Sequence, residues 1–374
     1  MSIIIAADTV PTIRNFDLFS SGNVEALFGK ELIDIFGSAD KRIINLELPL
    51  ADKDSPIKKN GPSLRAPKST IIGYKQLGVD AVSIANNHIM DHGEEGLYST
   101  LESLDSNAID YFGAGENIAE AEKPYVFELG GRKVGVFSCA EHEFSIASDK
   151  CAGANPFDAL ETPDKIAALK ADCDFVVVLY HGGRELYRYP SPELQKRCRK
   201  MADKGADLVV CQHSHCIGCE EKYNNSTIVY GQGNFLFDLL DAEGWKTGLL
   251  IKLNDDLSVS YIPTVKHGNV VRKATKEEEK DILGEFYKRS EEIKSPGFID
   301  SEFGKLANSF SLQYRMLIYG KRSFLLKAIN KITGHRFFDW CFERKFSSQQ
   351  LRRIRNVVEC EAHRELFLEW ISRH

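Results

Sequence analysis

From the N-terminus to about residue 265, short apolar runs alternate with amphipathic stretches, the pattern of a layered α/β architecture. "SIIIAAD" and "KRIINLE" read as buried strands running into acids, at Asp8 and Glu47. "PKSTIIGYKQLG" predicts a helix, with Pro67 near its start and Gly78 at its stop. "VDAVSIANNH" is a third strand ending in polar residues, "GEEGLYSTLESLDSN" an amphipathic helix, and "NAIDYFGAG" a strand followed by a glycine loop. "PYVFELGGRKVGVFSCA" predicts a hairpin turning at Gly130-Gly131. "CDFVVVLYH" is a strand ending at His181, "SPELQKRCRKMADKG" a helix, and "ADLVVCQHSH" a strand ending in His213 and His215. "CIGCEEKYNNSTIVYGQGNFLFD" and "GLLIKLNDDLSVSYIPTV" predict two further hairpins, the first turning at Asn224-Asn225.

Beyond about residue 270 the texture changes. "TKEEEKDILGEFYKRSEEIKS" is charged and helical, and Ser309 to Arg355 is rich in Lys, Arg and aromatic residues. A last helix is predicted from Ser347, where Ser347 and Gln350 form an S-x-x-Q capping pair. Leu351, Ile354, Val358, Ala362, Leu366 and Trp370 then fall on one apolar stripe. The expected organisation is an α/β domain over 1–268 and a helical C-terminal extension over 269–374. The basic face of that extension reads as solvated surface in preference to a membrane or polymer dock.

Composition narrows the picture. With 374 residues, 43% of them hydrophobic and 27% charged, the chain can bury a large core. A net charge of −6 excludes a strongly basic nucleic-acid binder. Nine cysteines, an odd number at irregular spacing, do not read as an oxidised framework. The apolar run in "MSIIIAAD" is short for an export signal and lacks a basic flank. No stretch approaches the ~20 apolar residues that cross a bilayer. The expected location is the cytoplasm.

The candidate chemistry lies where the strands end. Asp8, Glu47, Asn87-His88, His181 and His213/His215 each follow an apolar run, and in layered sheets sites assemble at the carboxyl ends of strands. Carboxylate, amide oxygen and imidazole together suit Mn²⁺, Fe²⁺ or Zn²⁺. His213 and His215, two apart at a strand end, are expected to point to the same side. If the Asn87 oxygen binds an ion, His88 stands beside it, placed to give or take a proton. Asp91, one turn on, either orients that imidazole or caps the following helix. For "CQHSHCIGC" a structural zinc knot is the competing reading, but a closed site needs four paired ligands and the other cysteines are isolated. Cys216 and Cys219 therefore read as small packing residues. His142 reads as a solvated loop residue, and Asn234 as a turn residue bonding its own backbone.

The blocks "NLELPL", "LGVDAVSIANNHIMDHGEEGL", "FGAGENIAEA", "HGGRELYRYPSPELQ", "GADLVVCQHSH" and "IVYGQGNFLFD" closely resemble the CapA family of capsule and poly-γ-glutamate biosynthesis proteins, over roughly residues 3–265. That family is similar to the calcineurin-like metallophosphoesterases. The resemblance implies a metallophosphoesterase-like four-layer α/β/β/α sandwich with a C-terminal helical extension. It implies Asp8, Glu47, Asn87, His181, His213 and His215 as ligands of one or two divalent ions (Mn, Fe or Zn). His88 would be the proton donor with Asp91 beside it. Arg65 and Glu185 would hold an anionic or amide substrate, unless they are an ordinary surface pair. Departures from the pattern modify this. Asp-x-His is here Asp8-Thr9-Val10, so one ion lacks a nitrogen ligand. One pocket would hold Glu47, Asn87, His181 and His213, the other only Asp8, Glu47 and His215, which predicts one tight ion and one weak or absent. Ala7, Gly182 and Gln212 replace the family's Gly, Trp and His, which predicts a wider, less aromatic pocket.

The activity implied is hydrolysis by water activated on the ion, acting on a phosphoester or amide link. Its place would be the making, trimming or release of an anionic surface polymer such as poly-γ-glutamate. Partners would be that polymer or a small substrate and, through the C-terminal region, a membrane-bound biosynthetic complex, with no nucleic acid. A general metallophosphoesterase and a non-catalytic scaffold with a partly degraded metal site are the alternatives.

Overall fold

The computed structural model describes residues 2–319, 331–333 and 336–372. Two β-sheets face each other. The first contains β1 (Ile3–Val10), β2 (Lys41–Leu46), β3 (Ala81–Ser83), β4 (Asp110–Phe112), β13 (Asn234–Phe237), β14 (Thr247–Leu253), β15 (Val259–His267) and β16 (Val270–Lys273). Its order is β16-β15-β14-β1-β2-β3-β4, with β13 also paired to β1. The second contains β6 (Tyr125–Leu129), β7 (Arg132–Ala140), β9 (Phe175–His181), β10 (Leu208–Gln212), β11 (Ile217–Tyr223) and β12 (Ser226–Gln232), in the order β11-β12-β10-β9-β7-β6. A short ribbon pairs β5 (Ala114–Gly115) with β8 (Gly153–Ala154).

Strand alternation builds the layers. Ile3 and Ile5 of β1 join Val177, Leu179 and Val210 in the core between the sheets. Ile4 and Ala6 point the other way, into a second core with Leu27, Phe28 and Phe36 of the helix Val24–Ser38. Val176, Val178 and Tyr180 of β9 likewise face Ile166, Leu169, Cys198 and Met201 of the helices Thr162–Asp172 and Pro192–Asp203. Central strands are thus buried on both faces, which is why they read as unbroken apolar runs. Each isoleucine so buried contributes roughly 1.5–3 kcal/mol over its exposed state. The result is the four-layer α/β/β/α sandwich expected from the sequence. The β6–β7 hairpin turns at Gly130 and Gly131, whose φ values of 59° and 74° give the left-handed pair that matches strand twist.

The compact first unit runs to Glu302, beyond the boundary expected at residue 268. Two elements carry it on: β16 pairs with β15, and the helix Lys276–Glu292 is fastened to β11. Arg289 Nε donates to the Gly218 carbonyl at 2.8 Å, and Ser290 Oγ accepts from Glu220 N at 2.8 Å. That helix starts on a capping box between Thr275 and Glu278, and Glu278 also takes two bonds from Arg272, at 2.7 and 2.8 Å. The Arg272 and Thr275 bonds hold the Glu278 carboxyl at about 2, below its ordinary 4.5. A lowered folded-state pKa contributes stability that is present above about 4.5 and lost as pH falls towards 2. The side chains are 42% and 35% exposed, so screening limits the effect to about 1 kcal/mol. Glu278→Ala is expected to lose that amount in urea unfolding at pH 7, with the gap to wild type closing between pH 4.5 and 2.

The second unit, Phe303–His374, is helical wherever it is described as an element: Ser311–Tyr319, Arg336–Lys345, Ser348–Glu359 and Glu361–Ser372. Residues 320–330 and 334–335 of the basic, aromatic stretch lie outside the described residues. The Ser347–Gln350 capping box forms as expected, with Gln350 Oε1 accepting from Ser347 N at 2.7 Å. The single long helix expected after it does not. Cys360 takes an extended ψ of 119° and ends the helix just after Val357-Val358, a β-branched pair that lowers helix propensity. The apolar stripe is therefore split, with Leu351, Val358, Leu366 and Trp370 exposed. No described helix is long and apolar enough to cross a membrane.

Candidate metal centre

Asp8 is aimed by an irregularity in β1. Pairing with β2 passes from Ala6↔Ile44 to Asp8↔Asn45, leaving Ala7 as an extra residue, and such bulges re-aim a side chain. Asp8 Oδ1 accepts from Asn45 Nδ2 at 2.7 Å, while Oδ2 accepts from His213 N at 3.1 Å and lies 3.3 Å from His215 Nδ1. Glu47 follows the end of β2, and His181 is the last residue of β9. The two remaining histidines reach the site differently from the expectation of strand alternation. β10 stops at Gln212, and His213 and His215 both adopt left-handed backbone, with φ of 79° and 51°. Non-glycine residues in that region cost about 1–3 kcal/mol each and cluster at functional sites. Asn87 and His88 are also off the strand: β3 ends at Ser83, and they sit in the turn before the helix Gly93–Ser106. Asn86 pins that turn, donating to the Leu46 carbonyl at 2.9 Å and accepting from His88 N at 3.2 Å.

The donors converge on His181. Its Nε2 lies 3.2 Å from Glu47 Oε1, 3.0 Å from Asn87 Oδ1 and 3.2 Å from His213 Nδ1. These four residues are the ligand set expected for the tighter pocket. Glu47, His213 and His215 also offer donor atoms within 4.8 Å of one another. All six expected ligands are buried, the most exposed being Asn87 at 8%. Among the described residues, neither Glu47 oxygen has a hydrogen bond, although His181 Nε2 is close to one of them. A carboxylate taken out of water without hydrogen bonds is costly, and a divalent cation is the partner that answers this donor set. The residues present fit such an ion. Its electrostatics agree. Burial opposes the charge on Asp8, but the bond to His215 and the nearby His181 outweigh it and lower its pKa. Burial likewise disfavours charged His215, yet Glu47 and Asp8 push it up to about 9. Glu47 and Asp8 raise His181 in the same way. His213 is depressed well below the usual range by burial and by its histidine neighbours, which leaves it a neutral donor.

His88 Nδ1 lies 2.6 Å from Asp91 Oδ2, so of the two roles weighed for Asp91 its carboxylate meets the imidazole; the helix Gly93–Ser106 has no side-chain cap. A carboxylate only accepts, so Nδ1 carries the proton there. Sequence reading missed Lys59, whose buried ammonium contacts Asp91 Oδ1 and lies 3.2 Å from His88 Nδ1. It also missed Glu143, which accepts from Asn87 Nδ2 at 3.0 Å. Asn234, read as a turn residue, places Oδ1 2.9 Å from His215 Nδ1. Arg65 donates to the Ala51 and Asp52 carbonyls and pairs with Asp54, while Glu185 is exposed after β9. Cys216 and Cys219 are buried, and the donor groups close enough to share an ion contain no cysteine among the described residues.

The family model "Bacterial capsule synthesis protein PGA_cap" matches residues 12–239. The chain is 32% identical over 188 residues to the capsule biosynthesis protein CapA of Bacillus anthracis, covering 49% of this chain and 45% of that one. It is 30% identical over 226 residues to the PGA biosynthesis protein CapA of Bacillus subtilis, covering 56% of each. The chain thus matches about half the length of these curated relatives. Among solved structures it is similar to a phosphatase from Mycoplasma pneumoniae, at 16% identity and a TM-score of 0.44, over 72% of this chain and 94% of that one. It is also similar to a 5′-nucleotidase precursor from Thermus thermophilus, at 14% identity and a TM-score of 0.39, over 77% and 58%. A match running from the loop after β1 to the loop after β13 takes in every expected ligand except Asp8, and the chain belongs to the bacterial capsule synthesis protein PGA_cap family.

Proposed function

We propose that this protein hydrolyses a phosphoester or amide link in the making, trimming or release of an anionic surface polymer of the poly-γ-glutamate type. One observation carries the reading: Glu47, Asn87 and His213 lie within 3.0–3.2 Å of His181 Nε2, around a carboxylate without hydrogen bonds among the described residues. The polymer class is suggested by the names of the Bacillus relatives. Glu47, Asn87, His181 and His213 would hold a Mn, Fe or Zn ion tightly, and Asp8, Glu47 and His215 a second one weakly. Such an ion supplies Lewis acidity, acidifying water and polarising a phosphoryl or carbonyl oxygen.

The chain's own groups do the rest. Because His88 Nδ1 donates to Asp91, its Nε2 is the position that takes up a proton and then hands that proton to the leaving group. Lys59 neutralises Asp91, so the pair holds the ring without adding net charge. Glu185, exposed beyond His181, is the substrate contact, and Arg65 shapes the loop 52–66 through the backbone carbonyls it binds. We place the reaction in the cytoplasm, with the C-terminal helices recruiting the protein to a membrane-bound complex.

Metal analysis of the purified protein, followed by turnover of a generic phosphoester against a γ-glutamyl peptide, tests the reading. Bound cation with turnover of either substrate supports it, and cation-free protein inert to both removes it. His88→Gln is expected to lower turnover about 10²–10⁴-fold with cation content unchanged. Full turnover in that variant would remove the proton-donor role.

A further inference from the structure

The turn carrying Asn87 is gripped by the segment after β7. Ser145 Oγ donates to the Asn87 carbonyl at 2.6 Å, and Glu143 Oε2 accepts from Asn87 Nδ2 at 3.0 Å. Ser145 is itself fixed, since its carbonyl accepts from Ala154 N of β8 at 2.6 Å. Gly153 makes that approach close: a Cβ there would lie 2.4 Å from the Ser145 oxygen. The backbone of Asn87 is therefore held, and only its amide orientation remains to be set.

An amide presents an oxygen on one side and an NH₂ on the other, and nothing in its shape chooses between them. Glu143 chooses. A carboxylate has only acceptors, so the side facing it must be the NH₂. The oxygen is then committed to the opposite side, where it stands 3.0 Å from His181 Nε2. Turned over, the amide would set its oxygen against the Glu143 oxygen and its NH₂ against His181, and would offer no lone pair to a cation. Glu143 is close to the centre in its own right, with Glu141, Glu143 and His213 donors within 4.8 Å of one another.

We infer that Glu143 is a positioning residue of the cation centre, fixing the Asn87 amide so that its oxygen is the atom presented to the ion. This rests on the metal-centre reading above. Outer partners of ligands typically cost 10–100-fold in affinity when lost, whereas a glutamine oxygen still accepts from Nδ2.

Calorimetric titration of the full chain with Mn²⁺ and with Zn²⁺ tests it, with the melting curve of each metal-free variant reporting that it is folded. Glu143→Ala is expected to weaken binding about 10–100-fold, and Glu143→Gln to restore it to within roughly threefold of wild type. On an Asn87→Ala background, Glu143→Ala should change nothing further. Wild-type affinity in Glu143→Ala overturns the inference. So does a Glu143→Gln as weak as the alanine variant, which would put the effect in charge alone, and so does an additive loss in the double variant. A wild type that takes up neither ion overturns the centre itself, a result distinct from all of these.

Discussion

Glu47→Gln is expected to strip the centre of its cation, with Mn²⁺ or Zn²⁺ affinity falling by at least about 100-fold. Outer partners alone cost up to that factor, and Glu47 is an expected ligand in its own right, shared by both proposed pockets. Its charge makes it the least replaceable donor in the set, since the amide of glutamine keeps the shape and loses the attraction. Thermal melting gives a second readout. An ion at 100 times its dissociation constant stabilises by about 2.7 kcal/mol, worth roughly 5 °C in a unit of this size. Wild type should gain that on adding Mn²⁺ or Zn²⁺ and lose it again to a chelator, while Glu47→Gln should show neither change. A variant that keeps the full gain would sink the ligand assignment.

Why the candidate ligands could be read from the sequence follows from the layers. β1, β9 and β10 are covered on both faces, so they stand out as apolar runs, and a polar residue ending such a run is displayed at the sheet edge. Asp8, Glu47, His181, His213 and His215 were visible for that reason. The backbone that delivers two of them was not. Left-handed conformation at His213 and His215 is imposed by tertiary contacts, among them the Asp8 carboxylate on His213 N, and no local pattern announces it.

Glu143 was within reach of the same rule, because β7 ends at Ala140 and acids follow at once, on either side of the more conspicuous His142. Asn234 stands level with Asp8 across the β1–β13 pair, a register that becomes visible only when the sheet is assembled. Lys59 was out of reach. It lies in a polar loop beside Lys58, and two adjacent lysines look alike until one of them is buried by a partner over 30 residues away. The helix break at Cys360 has no glycine or proline to mark it.

Lys59 supplies the second large effect. Its side chain is 3% exposed and that of Asp91 is fully buried, so each is the other's answer to desolvation. Removing one partner of a buried pair leaves an uncompensated charge and typically costs 3–5 kcal/mol. Asp91→Asn is expected to lose about that much in urea unfolding, because it strands the ammonium. Lys59→Met should cost less, since Asp91 keeps its bonds from Leu64 N at 2.6 Å and from His88 Nδ1 at 2.6 Å. The double variant Lys59→Met/Asp91→Asn should recover part of the loss, with a coupling of about 1–3 kcal/mol; strictly additive effects would show that the two charges do not hold each other. The consequence reaches the site. The Asp91 carbonyl also accepts from Ile57 N at 2.9 Å, and His92 Nδ1 from Ser55 N at 2.9 Å, so the loop 52–66 is tied to the turn that carries Asn87 and His88. Asp91→Asn leaves those two bonds in place but weakens the side-chain contacts to Lys59, Leu64 N and His88, and should slow turnover at least as far as His88→Gln does. Cation content should stay at the wild-type level, because the polar contacts of the Asp91 and Lys59 side chains run to each other, to His88 and to the loop backbone, away from the six expected ligands.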